Sequence, residues 1–159
     1  MIKRHLSNRT SSIISLVLAL ALIPALIFLL IQLPHMVDVL LNVHEAIGDD
    51  GPLQPWERTC ILVDAYAMIV VAFAAVALLI VLLRSTLSEQ VFSECALRTL
   101  NWLSVCCFVE GILIVFVSFY FLAALCVTLA AFFLGVCLRV VRNVIAEAIR
   151  YKAENDLTV

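Results

Sequence analysis

The chain has 159 residues, 65% of them apolar and 14% charged, with a formal net charge of −2. A single water-soluble domain of that length cannot hide so much apolar surface in its core. A bilayer can, and the near-neutral charge, with basic residues hugging the apolar tracts, gives no support to direct nucleic-acid binding.

The first apolar tract, 13–33, carries no charge. A hydrocarbon core takes roughly 20 helical residues per crossing, so this tract is one span. Lys3, Arg4 and Arg9 precede it, as basic residues precede a secretory signal. Its apolar region is too long for one, however, and no small-residue cleavage site follows. It reads as a retained anchor. Pro24 removes a backbone hydrogen bond within it and is expected to kink it.

An outer loop, 34–60, comes next. In HMVDVLLNVHEAIGDDGP, His35, Asp38, Asn42, Glu45 and Asp49 recur at helical spacing, opposite Met36, Leu40, Val43 and Ile47. This predicts an amphipathic helix that prolongs the first span past Pro34 or lies at the interface. GDDGP marks a turn, and Trp56 suits the headgroup layer. His35, His44, Asp38 and Glu45 invite a metal reading. His44 points about 100° away from Glu45 on a helix, however, and no H-E-x-x-H spacing occurs, so a solvated face is the stronger reading.

The second span is 61–83, with Asp64 close enough to its start to reach headgroup water. The inner loop, 84–98, holds Thr86-Leu87-Ser88-Glu89, which fits a capping box for a short helix leading into the third span. The tract 100–141 carries only Glu110 and Arg139 as charges. As one helix it would be about 60 Å long, so it must fold back, near Ser118-Phe119-Tyr120. That gives spans 99–117 and 121–141, four in all.

Glu110 lies near the middle of the third span. An acidic group there costs about 3 kcal/mol unless it faces the bundle interior or is neutralised. It reads either as a proton or cation site or as a carboxyl hydrogen-bonded to Ser104, Ser118 or Thr128. Arg139 is near enough to the inner face to snorkel. Ala131-x-x-x-Gly135 offers a close-packing face, within the bundle or between subunits of a homo-oligomer.

Nine of the ten basic residues fall on one side of a four-span map; the other side has Arg58 among several acids. The positive-inside bias then puts both termini in the cytoplasm. The expected fold is all-α: a bundle of four transmembrane helices with a C-terminal amphipathic helix, 139–155, extending into the cytoplasm. On that helix Val141, Val144, Ile145, Ala148 and Ile149 form an apolar face, and Arg150 and Glu154 are spaced for an i,i+4 contact.

Six cysteines occur without a C-x-x-C pair and read as small apolar filler. There is no Ser/His/Asp set, phosphate-cradling glycine loop or metal spacing. The expectation is a non-enzymatic protein of the cell membrane, with no cofactor and no metal.

The ending AIRYKAENDLTV resembles the terminal signature of a bacterial four-span family, domain of unknown function 2975, whose tail is E-x-D-L-T-[VI]. Glu154, Asp156, Leu157, Thr158 and Val159 match that tail. VFSECALRTLNWL is similar to the family's segment before the third span. Such proteins are often encoded beside a small Xre/Cro-type helix-turn-helix regulator. The resemblance therefore implies a membrane protein that holds or senses for a DNA-binding partner. Arg150, Glu154, Asp156, Leu157, Thr158 and Val159 are then the candidate docking residues. The alternative is a small proton- or cation-coupled transporter or channel using Glu110, a residue the resemblance does not support.

Overall fold

The computed structural model describes residues 2–47, 54–87 and 94–156, which are helical almost throughout. Four helices follow one another: α1 (Ile2–Ile47), α2 (Pro55–Leu87), α3 (Glu94–Ser118) and α4 (Leu122–Asp156). Each is long and apolar enough to cross a bilayer. Apolar side chains such as Leu18, Phe28, Ile31, Val70, Ile112 and Phe133 are exposed on their surfaces. In water these would be a fault; against acyl chains they are the ordinary outer coat of a spanning helix.

α1 stays helical through both Pro24 and Pro34. At 46 residues it is about 69 Å long, and most of the expected outer loop is therefore helix, to Ile47 in α1 and again from Pro55 in α2. The start of α2 is built from three neighbours. Pro55 takes the first helical position, where it has no N–H to leave unpaired. Glu57 N–H donates to the Gln54 carbonyl at 3.0 Å, and Gln54 N–H donates to Glu57 Oε2 at 2.8 Å. This is the side-chain half of a capping box. Of the box expected at Thr86-Leu87-Ser88-Glu89, the Thr86 backbone lies in the last turn of α2. Ser88 and Glu89 lie outside the described residues.

The fold-back between α3 and α4 is at Phe119–Phe121. Tyr120 and Phe121 both donate to the Val117 carbonyl, each at 3.0 Å, and Ala124 donates to Phe121 at 2.9 Å to open α4. No glycine or proline makes this turn. Ser118, which donates to the Ile114 carbonyl at 2.9 Å, offers the last turn of α3 a competing side-chain bond.

The helices pack in sequence order, α1 on α2, α2 on α3 and α3 on α4, and among the described residues α1 makes no helix contact with α3 or α4. The result is an open row. The α3/α4 seam is its tightest joint. Gly111 faces the Phe132 ring, and Gly135 faces the Phe108 ring. Each missing side chain thus seats an aromatic ring from the other helix, the close approach that small residues allow. Ser104 donates across the seam to the Gly135 carbonyl at 2.9 Å, and Ser118 and Thr128 hydroxyls meet at 3.4 Å near the turn. At the α1/α2 joint, Leu33, Val37 and Leu41 of α1 pack with Ile61 and Ile69 of α2, and Tyr120 from the turn packs against the cluster.

Candidate functional site

Two regions could act. One is a membrane-level cleft that α1 and α3 share without touching; the other is the free end of α4.

Since α1 and α3 both lean on α2 but not on each other, a gap is left between them. Its hairpin end is closed by rings: His44 of α1 lies edge-on to Tyr120 and Phe121, with centroids 6.1 and 5.4 Å apart. About 15 Å further along the helices, past the packed Val37 and Leu41, is a cleft of about 210 Å³, walled by Leu29 and Leu33 of α1, by Met68, Ile69 and Ala72 of α2, and by Glu110 of α3. Glu110 is the one ionisable group in an otherwise apolar lining. The hydroxyls that sequence reasoning offered it as partners are engaged elsewhere. Ser104 bonds Gly135, Ser118 bonds Ile114, and Thr128 bonds the Ala124 carbonyl at 3.1 Å. The physical reason is rotational: Ser104 and Ser118 of α3 face α4, Thr128 lies on α4 itself, and Glu110 looks toward α1 and α2.

Asp64 of α2 stands near Glu110 of α3. Nine residues after Pro55, it lies about 14 Å along α2. Glu110, eight residues before Ser118, lies about 12 Å from the same end of α3. The two carboxylates therefore sit at one depth on adjacent helices, within reach of each other's charge. Asp64 Oδ2 is buried with no hydrogen-bond partner among the described residues, and the side chain lines a neighbouring groove beside Val63, Leu113 and Phe116.

Several polar residues beyond Pro34 share a cleft. Asp38 pairs with Arg58 across α1 and α2, on the wall of a second cleft of about 650 Å³ that also meets Asn42, Glu45 and Thr59. His44 instead meets the rings of Tyr120 and Phe121. Among the described residues no three His, Cys, Asp or Glu side chains come together to hold a metal ion.

At the free end, α4 runs without a break to Asp156. Its 35 residues make about 52 Å of helix. A hydrocarbon core takes about 30 Å of that. Because Leu122 follows a tight turn, the surplus lies at the C-terminal end. There Ile145 and Ile149 are half-buried, whereas Val144 and Tyr151 are 63% and 58% exposed. Arg150 is paired on both sides, to Glu147 at 3.1 Å and to Glu154 at 3.6 Å. Closer to the membrane, the Arg139 guanidinium lies 5.4 Å from the centre of the Phe108 ring, a cation–π contact that holds it along the seam. Asp156 is the last helical residue; Leu157, Thr158 and Val159 lie outside the described residues.

None of these groupings points to catalysis. No curated protein and no solved structure matches the chain. A family model described as "Protein of unknown function (DUF2975)" matches residues 8–159. That is nearly the whole length, and the chain belongs to this family.

Proposed function

We propose that this multi-pass membrane protein is a non-enzymatic regulator that holds a cytoplasmic helix-turn-helix DNA-binding protein at the cell membrane. One observation carries the reading: α4 continues as helix some 20 Å past what a bilayer requires. It carries exposed Val144 and Tyr151 beside a ladder of Glu147, Arg150 and Glu154. Helix that a bilayer does not need is available to a soluble partner. The basic residues crowd the end of the row where both termini lie, so the positive-inside bias assigns that end to the cytoplasm. Exposed Val144 and Tyr151 supply apolar anchors, with Leu157, Thr158 and Val159 following them in the sequence. Glu154 and Asp156 suit a basic regulator surface.

The test is co-purification from solubilised membranes with a helix-turn-helix regulator, should one be encoded beside it, or with the DNA-binding proteins of the same cell. Deleting 154–159 should leave membrane insertion intact and remove the partner. A truncated protein that keeps its partner at full yield defeats the proposal, as does a reporter fused after Val159 that is active only outside the cell.

A second reading, proton- or cation-coupled transport through Glu110, is favoured by Asp64 standing at the same depth. It is weakened by the commitment of Ser104, Ser118 and Thr128 to other partners, which leaves few polar steps for a path. Glu110→Gln in reconstituted vesicles should abolish flux if this reading holds.

A further inference from the structure

We propose that the cleft between α1, α2 and α3 binds a lipophilic monocation, an amine or quaternary ammonium with a short apolar body, using Glu110 as its counter-ion. The inference does not rest on the docking of a regulator, and it requires binding only, not transit.

The lining selects the chemistry. Leu29, Leu33, Met68, Ile69 and Ala72 offer no oxygen or nitrogen side-chain ligands. A metal ion needs several hard or borderline donors around it, so one carboxylate on an apolar wall does not make a metal site. An organic cation needs the reverse arrangement: apolar contact over most of its surface and one opposite charge. Anions are disfavoured twice, by Glu110 and by Asp64 in the same layer. A neutral acyl chain could fill the space but leaves the carboxylate without an opposite charge, in a medium where that is costly. The mutual attraction of an ion pair strengthens as the surroundings become less polar.

The architecture makes the space specific to this place in the row. Among the described residues the α1 and α3 backbones do not pack together, so the gap between them is a consequence of the packing order, and α2 forms its floor through Met68, Ile69 and Ala72. At about 210 Å³ the cleft falls below the 300–1,000 Å³ of pockets for drug-sized ligands. It therefore suits a short-chain cation. Met68, with an unbranched and polarizable side chain, can adjust to the shape of the apolar body.

The experiment is equilibrium binding of radiolabelled hexyltrimethylammonium to the full-length protein in lipid nanodiscs, with empty nanodiscs subtracted. Saturable binding of one probe per chain is expected. Glu110→Gln should weaken it at least tenfold. Ala72→Leu, which narrows the cleft and keeps the charge, should do the same. Asp38→Asn, at the other cleft, should leave it unchanged. Heptanol, of similar length but uncharged, should fail to compete for the unmodified protein, a control that needs no variant to fold. Absence of saturable binding, equal binding by Glu110→Gln, or full competition by heptanol would each overturn the proposal.

Discussion

The α3/α4 seam and the gap between α1 and α3 are opposite outcomes of packing in one molecule. In the α3/α4 seam, glycines admit phenylalanine rings and every hydroxyl finds an acceptor, so the helices close on each other. Between α1 and α3 there is no such fit, and the space left over contains the Glu110 carboxylate, which no side chain among the described residues satisfies. The difference teaches where to look for function in a lipid-facing chain. Completed packing marks structure, and an unfinished polar position marks a place for something else.

Gly135→Leu breaks the comparison most severely. A Cβ at that position already stands 3.1 Å from the Phe108 ring, so a larger side chain must push the seam apart. The expected loss is about 2–3 kcal/mol, read as a lowered unfolding midpoint in detergent. A midpoint equal to the parent's would show that the seam is not the close joint described. Glu110→Gln should move stability the other way, raising it by about 1 kcal/mol, since it removes an unpaired charge from the hydrocarbon layer. A clear loss would mean that Glu110 has a partner holding it. Ser104→Ala should cost about 0.7 kcal/mol, typical of a hydrogen bond between membrane helices, because the Gly135 carbonyl loses its cross-helix donor. Smallest of all, Asp38→Asn should change the midpoint by less than about 0.5 kcal/mol, its pair with Arg58 being 43% and 61% exposed.

Part of this arrangement could be read before any coordinates. The apolar tracts give four helices, and the excess length of 100–141 forces a fold-back close to where the chain turns. Ala131-x-x-x-Gly135 correctly marks a packing face, but not its occupant. That Phe108 fills it, and that Gly111 receives Phe132 in return, depends on how α3 and α4 are rotated, which periodicity alone does not fix. That Asp64 and Glu110 stand level is equally hidden, since it depends on α2 beginning at Pro55 and on how α2 and α3 are aligned. The cleft itself is illegible in sequence because it arises from two helices that do not touch. Arg150 and Glu154 do pair at i,i+4, since a contact within one helix follows from spacing alone.

The neighbour-only order of the row has a consequence for biogenesis. A closed ring of helices must wait for its last member, because the first and fourth seal each other. Here each new helix finds its sole earlier neighbour already in the membrane, so the α1–α2 hairpin can be laid down first and the α3–α4 hairpin added against it. Few contacts have to wait for a distant stretch of the polypeptide, which favours rapid assembly as the chain emerges.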